Sequence, residues 1–333
     1  MKIVQISESE FSVQGHGVHT AFVETVKGLS ATAGNQVIKN SFHAADIRHI
    51  HTVGPYSLAQ LLFAKGKKIV SAHVVPKSFV GSLVGAKYWL RLATWYLVWF
   101  YNRADAVIAV SDETKHQLEA IGVRRPIKVI YNMIDTSRYH FLAKDRQKSR
   151  RDLGIDPTKT VVLGNGQVQP RKRVDTFINI AKRLPDMQFI WIGGMPFGKA
   201  AASYSDMQKL VDSAPSNVKF TGVVDLEKVR QYFATGDIFV MTSDQETFGL
   251  AIIEAAASGL PVVLRDIADY DHTFRNDALV CQESEFVEAV TKLAGDRSYY
   301  RQMQSHSASI ARRFDSRSVT EQLLSLYRSC LEK

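Results

Sequence analysis

Short apolar segments alternate with stretches of helical periodicity along almost all of this 333-residue chain, and that rhythm narrows the fold more than any other feature. The strand-like runs are Ile3–Ile6, Lys68–Ala72, Ala106–Val110, Lys128–Tyr131, Thr160–Gly164, Gln188–Ile192, Val218–Phe220 and Asp237–Met241. Helical periodicity covers Val18–Leu29, Glu113–Ile121, Val174–Leu184, Leu226–Ala234 and Phe286–Ala294. Strands separated by helices pair in parallel through crossovers, so an α/β chain of βαβ units is expected. The rhythm runs in two blocks, interrupted over 140–158 by the basic polar run 144–151, Gly154 and Pro157. That stretch reads as the connection between two domains, for which the length suffices.

The run Glu246-Thr-Phe-Gly-Leu-Ala-Ile-Ile-Glu254 places two carboxylates eight residues apart across the start of a helix. The strand-like Asp237–Ser243 precedes it, so the loop 244–249 falls at the C-terminal end of a strand, where open α/β sheets bind ligands. Gly249 lets backbone approach a ligand, and the first-turn N–H groups of Phe248–Leu250 offer an anion site. If the intervening residues are largely helical, Glu254 lies roughly 10–12 Å beyond Glu246. The same residues would also serve as an acid at a helix N-terminus plus a surface glutamate. A second candidate follows the strand 160–164: Asn165-Gly-Gln-Val-Gln-Pro-Arg-Lys-Arg-Val-Asp175 combines a Gly-containing turn with three cations, a layout suited to a diphosphate.

These segments carry a resemblance. The run 246–254, flanked by Asp237-Ile-Phe-Val-Met-Thr-Ser and Ser258-Gly-Leu-Pro-Val-Val, is similar to the E-x7-E signature of retaining, nucleotide-sugar-dependent glycosyltransferases of family 4. Arg103-Ala-Asp-Ala-Val-Ile-Ala-Val-Ser111 and Lys128-Val-Ile-Tyr-Asn-Met-Ile-Asp135 resemble the run closing that family's first domain. The resemblance covers nearly the whole chain and implies a GT-B architecture, two Rossmann-like domains facing a central cleft. The first domain would span 1–140, joined by a C-terminal helix within 316–333, and the second, nucleotide-sugar-binding domain 151–315. It implies that Lys172 binds donor phosphate, that Glu246 holds sugar hydroxyls with Phe248, Gly249 and Leu250, and that Glu254 binds the ribose. The family pattern G-R-L-x-x-x-K-G is altered here: Gln167 replaces its Arg and Arg173 its second Gly, leaving Arg171 or Arg173 as the second cation. Gly15, His16 and Gly17 resemble the loop approaching donor phosphate and acceptor. His73 aligns with a histidine near the donor sugar, and His51 with another strand end lining the cleft. The loop 193–198 resembles one that touches the nucleotide. No bound metal, other cofactor or protein nucleophile is implied.

The net charge of +9 is unevenly placed. Residues 1–150 hold 20 Lys and Arg against 10 Asp and Glu, whereas 151–333 hold 22 against 23. Recognition patterns for nucleic acid are absent, so an anionic membrane surface or anionic substrates are the expected partners. Cys281 and Cys330 are far apart and the N-terminus reads as a strand, so a reduced, cytoplasmic protein is expected. Between Pro76 and Asp105 lie three of the four Trp, interleaved with Lys77, Lys87, Arg91 and Arg103. The uninterrupted apolar part, 92–101, is half of what a spanning helix needs. Trp89, Arg91, Trp95 and Trp99 therefore read as a peripheral contact with the inner face of the membrane. With this segment the chain most resembles family members that extend glucosyl-diacylglycerol in Gram-positive glycolipid synthesis. The implied donor is a UDP-hexose, galactose before glucose, and the implied acceptor a glycolipid. The alternative is a polyprenol-linked or soluble glycan acceptor.

Overall fold

The computed structural model describes residues 1–11, 17–79, 86–195 and 203–332. Gly15, His16 and part of the loop 193–198 lie outside them. The chain forms two compact units, dividing after Asp135 and again before Phe314.

The first unit holds strands β1 (Lys2–Ile6), β2 (Gln36–Lys39), β3 (Ile47–Ile50), β4 (Lys67–Ala72), β5 (Ala106–Ala109) and β6 (Ile127–Val129). They form one sheet in the order β2-β1-β3-β4-β5-β6, with every pair parallel. Helices cover both faces of such a sheet, which is why β3 and β5 are buried at every position. One face packs Val4, Ile6 and Val70 against Leu97 and Phe100 of the helix Ala86–Tyr101. The other packs Ile3, Ile47, Ile69 and Ile108 under Val319, Leu323, Leu324 and Tyr327 of the helix Ser316–Leu331. Asp315 caps that last helix by accepting the Arg317 N–H at 3.0 Å.

The second unit holds β7 (Val161–Asn165), β8 (Gln188–Ile192), β9 (Val218–Phe220), β10 (Ile238–Met241), β11 (Val262–Arg265) and β12 (Leu279–Cys281). This parallel sheet has the order β12-β11-β10-β7-β8-β9, the 3-2-1-4-5-6 arrangement of a dinucleotide-binding fold read from its other edge. Phe177 on the helix Val174–Arg183 sits edge-on to Phe189 and Trp191 of β8, with centroids 5.4 and 5.2 Å apart.

The basic stretch 140–158 differs from its reading as a linker. Ala143–Asp152 is a helix, and it belongs to the second unit. Two of its cations are committed to that unit: Arg150 donates to Thr235 O and the Asp237 carboxylate at 2.8 and 2.7 Å, and Arg146 to Gly236 O. Asp237 also accepts the Val161 N–H at 2.8 Å, tying the helix to the edge of β7. Arg146 and Arg150 thus form a hydrogen-bonding edge, while Lys144, Lys148 and Arg151 remain exposed. Leu323→Ala removes a buried side chain from the layer between the C-terminal helix and β1, β3 and β4. It should destabilise the protein by about 3 kcal/mol, read as a lowered thermal midpoint with the far-UV spectrum unchanged at 20 °C.

Candidate functional site

In the second unit the strand order reverses between β7 and β10, and the loops leaving both strands meet there. After β7 the chain turns through Gly166 and a short 3-10 turn, Pro170–Lys172, into the helix Val174–Arg183. Space in this turn is tight. A Cβ on Gly193 would fall 2.2 Å from Gly166 O, and one on Gly166 would press on the Lys172 side chain at 3.2 Å. Lys172 Nζ bonds Glu246 Oε1 from the loop after β10, and both side chains are buried. Arg171 lies 4.0 Å from the other Glu246 oxygen and donates to Gln245 O at 3.3 Å. The Asp244 N–H donates to Arg171 O at 2.9 Å, lacing the two loops together, and the Glu246 N–H donates at 2.7 Å to Asp269 from the turn after β11.

Burial lowers the Lys172 pKa, against the pull of Glu246. Burial also opposes charge on Glu246, but Lys172 and Arg171 overcome it and hold the carboxyl below its ordinary value. The pair is ionised, and Arg171 adds a second positive charge beside it. Arg173 is committed elsewhere. It adopts φ 48° and ψ 51°, the left-handed conformation that accounts for glycine in the resembling pattern. Its guanidinium bonds Asp175 at 2.9 Å, Glu283 at 3.1 Å and Asp244 at 3.3 Å. Arg171, not Arg173, is therefore the cation beside Lys172 and Glu246.

Gly249, with φ 93°, turns the loop into the helix Leu250–Ala257. Only this part of the span between the two glutamates is helical, because the left-handed turn at Gly249 ends the loop. Phe248 is buried against Phe274, 5.6 Å between centroids, and Leu250 is buried beside it. The Phe248 and Leu250 side chains thus brace the turn. Glu254 is buried, and its Oε1 accepts the Tyr139 hydroxyl at 2.7 Å. Tyr139, Asp269 and Tyr270 escaped the sequence reading because no spacing ties them to 246–254. Tyr270 OH and the Gln169 amide are buried without a hydrogen-bond partner among the described residues.

In the first unit the strand order reverses at β1 and β3. Gly17 opens the helix Gly17–Ala31, and no described atom lies within 4 Å of where its Cβ would sit. His51 follows β3 and His73 follows β4. Their rings stack at 5.4 Å, with His51 Nδ1 3.2 Å from His73 Nε2. The nitrogens of these two rings face each other, and among the described residues no cluster has the spacing to hold a metal ion.

The aromatic segment forms the helix Ala86–Tyr101, and the structure sorts its residues. Tyr88, Leu92 and Trp95, spaced four and three apart, are exposed at 81, 69 and 64 % and form one outward stripe, with Arg91 exposed beside it. Trp89 is half-buried against Phe79, and Trp99 lies half-buried beneath the Arg103 guanidinium at 4.3 Å. A cavity of about 700 Å³ lies beside the stripe, walled by Trp95, Trp99 and Leu61 and rimmed by Lys68, Arg103 and Arg125. No helix among the described residues is long and apolar enough to cross a membrane.

Two family models match: Glycosyltransferase Family 4 over residues 13–138 and Glycosyl transferases group 1 over residues 158–296. The alpha-galactosylglucosyldiacylglycerol synthase of Streptococcus pneumoniae is 30 % identical over 98 % of this chain and 89 % of its own length. The chain belongs to the family 4 glycosyltransferases. The processive diacylglycerol alpha-glucosyltransferase of Acholeplasma laidlawii is 26 % identical over 86 % of this chain and 85 % of its own. Among solved structures, Anabaena HepE in complex with UDP-glucose superposes with a TM-score of 0.80 at 20 % identity, covering 99 % of this chain and all of that one. Sucrose-phosphate synthase of Thermosynechococcus elongatus gives 0.80 at 17 %, over 99 % and 98 %. The fold of this family 4 chain is thus the α/β GT-B fold.

The buried pair sets a stability test. Lys172→Met strips the buried Glu246 carboxylate of its bonded partner, leaving only Arg171 at 4.0 Å, and should destabilise the chain by about 3 kcal/mol. Lys172→Met with Glu246→Gln should recover most of that loss. Urea melts of Lys172→Met, Glu246→Gln and the double variant distinguish this coupling from simple additivity.

Proposed function

We propose that this chain is a retaining transferase that moves an α-hexose, galactose in preference to glucose, from a UDP-sugar to glucosyl-diacylglycerol at a membrane surface. The arrangement of Lys172, Arg171 and Glu246 at the strand reversal of the second unit carries the donor half of this reading. A UDP leaving group develops negative charge, and preorganised cations in a partly desolvated turn stabilise such charge far better than water does. Lys172 and Arg171 supply that charge without a metal. Glu246 holds sugar hydroxyls and keeps Lys172 in place. The backbone of Phe248, Gly249 and Leu250 positions the donor at the mouth of the helix, and Gly17 does so from the first unit. Glu254, oriented by Tyr139, binds the ribose. His73 is the polar group that the first unit brings to the transferred sugar, as the family resemblance implies, and Gly15, His16 and His51 serve the acceptor.

The acceptor half is supported by two relatives named for transfer to diacylglycerol lipids. It is also supported by the outward stripe Tyr88–Leu92–Trp95 beside a cavity rimmed with cations. Aromatic and basic side chains in this arrangement suit a bilayer interface bearing anionic lipid. A peripheral enzyme on the inner face of the cell membrane follows.

Transfer from UDP-galactose and UDP-glucose, assayed in parallel on glucosyl-diacylglycerol in anionic vesicles, tests the reaction. A diglycosyl product is expected, faster with galactose. No product with either sugar, alongside slow release of UDP, would move the acceptor to a polyprenol-linked or soluble glycan. Lys172→Ala should lower kcat by roughly a hundredfold or more, and Glu254→Ala should raise the donor KM. Normal kinetics in both would remove the site. The surface is tested separately: Leu92→Ser with Trp95→Ser should weaken co-sedimentation with anionic vesicles roughly tenfold and leave UDP release in detergent unchanged. Undiminished sedimentation would place the membrane contact elsewhere.

A further inference from the structure

One buried polar cluster in the first unit is larger than the proposed reaction uses. Gln5, His49, His51, Ser71 and Tyr327 all lie beneath His73, cut off from solvent. Their atoms form a single chain of hydrogen bonds. His73 Nε2 is 3.2 Å from His51 Nδ1, and His51 Nε2 is 2.8 Å from Gln5 Oε1. Gln5 Nε2 is 3.1 Å from the Tyr327 hydroxyl, which is 2.7 Å from His49 Nδ1; His49 Nε2 ends the chain 2.7 Å from Ser71 Oγ.

Such a chain has a direction, because a neutral imidazole carries one N–H and one lone pair. Burial pulls the His49 pKa down to about 3 and that of His51 well below its ordinary value, so both rings are neutral. Two directions are self-consistent, and the length of the Gln5–Tyr327 bond chooses between them. An N–H···O bond runs from about 2.7 to 3.2 Å, whereas an O–H···O bond sits near 2.7–2.8 Å, so 3.1 Å is the length of an amide donor. Gln5 Nε2 therefore donates to the phenol at 3.1 Å, the phenol's own hydrogen goes to His49 Nδ1, and His49 Nε2–H goes to Ser71 Oγ. Gln5 then turns its carbonyl to His51, whose Nε2–H donates to it. His51 Nδ1 is left with a lone pair, so the hydrogen between His51 and His73 sits on His73 Nε2.

We propose that Tyr327, in the C-terminal helix, is a positioning residue that fixes the tautomer of His73 through Gln5 and His51. The ordered chain keeps hydrogen on His73 Nε2, so that in the neutral ring the lone pair lies on Nδ1. If His73 meets the transferred sugar, which rests on the functional reading above, it accepts from a sugar hydroxyl. Tyr327 acts through these bonds and touches neither substrate.

Long-range ¹⁵N–¹H correlation spectra of the full chain with labelled histidine read each tautomer directly, and His73→Gln identifies the signals of His73. The native protein should show His73 with hydrogen on Nε2; hydrogen on Nδ1 alone overturns the proposal, with no variant needed. In Tyr327→Phe the His73 signals should become a mixture of tautomers, while a single unchanged tautomer would overturn the role of Tyr327. Tyr327→Phe should also lower kcat for UDP-sugar transfer to glucosyl-diacylglycerol roughly tenfold, with donor KM within twofold and kcat taken per folded molecule. A merely structural tyrosine would lower the folded fraction and leave kcat per folded molecule and the tautomer alone. An Nε2–H tautomer with unchanged kcat in both Tyr327→Phe and His73→Gln would leave the chain of bonds standing and overturn the placement of His73 at the sugar.

Discussion

A parallel sheet cannot be closed by hairpins, and that constraint organises everything else in this protein. Each strand must be left by a crossover, and crossovers of one hand cover one face until the strand order reverses. Where it reverses, the crossovers after two neighbouring strands pass to opposite faces and leave a crevice at the carboxyl ends of those strands. The second unit reverses between β7 and β10, the first between β1 and β3. The cations after β7 and the glutamate after β10 stand at the first of these places, and His51 stands at the second.

What occupies the β7–β10 reversal is a compromise between fold stability and charge. Burying Lys172 and Glu246 separately would be costly, and their mutual bond largely offsets that cost without making the pair a strong stabiliser. The turn around them has little freedom: Gly193 lies against Gly166, and Gly166 lies against Lys172. The Asp269 carboxylate holds the Glu246 backbone. A lysine confined in this way has little rotamer freedom left to lose when an anion arrives. Arg171 adds a charge whose guanidinium is more than half screened from water.

Much of this was legible in the sequence because the elements follow local periodicity. All eight strand-like runs are strands, and the six helical stretches, including Ser316–Leu331, are helices. Short or marginal segments were less visible. β2 is four residues with half-exposed sides, and β12 is three residues, too short to show a period. The helix Ala143–Asp152 was obscured by charge, since two of its arginines bond backbone carbonyls around residue 236 rather than facing solvent. In the site, Lys172 and Glu246 were read from separate motifs and meet. Their supports Asp269, Tyr139 and Tyr270 come from distant turns, and only tertiary structure brings them in. The aromatic helix illustrates the same limit: four residues were read as one surface, but helical geometry turns Trp95 and Arg91 outward while Trp89 and Trp99 lean inward.

The C-terminal helix shows why distant sequence can matter to local chemistry within one unit. Its apolar side is explained by burial alone, since Val319, Leu323 and Leu324 seal the sheet. Tyr327 is different, because a buried phenol without a partner is disfavoured and phenylalanine would fill the same space. The hydroxyl is retained among Gln5 and His49, where it satisfies one donor and one acceptor at once. A fully satisfied buried network rigidifies its members, whereas a partly satisfied one is worse than an apolar core. Here every member is satisfied only when the hydrogens run in one sense along the whole chain, and the Gln5–Tyr327 length favours the sense that leads from Tyr327 to His73. The last helix thereby contributes to the rim of the first sheet without approaching it.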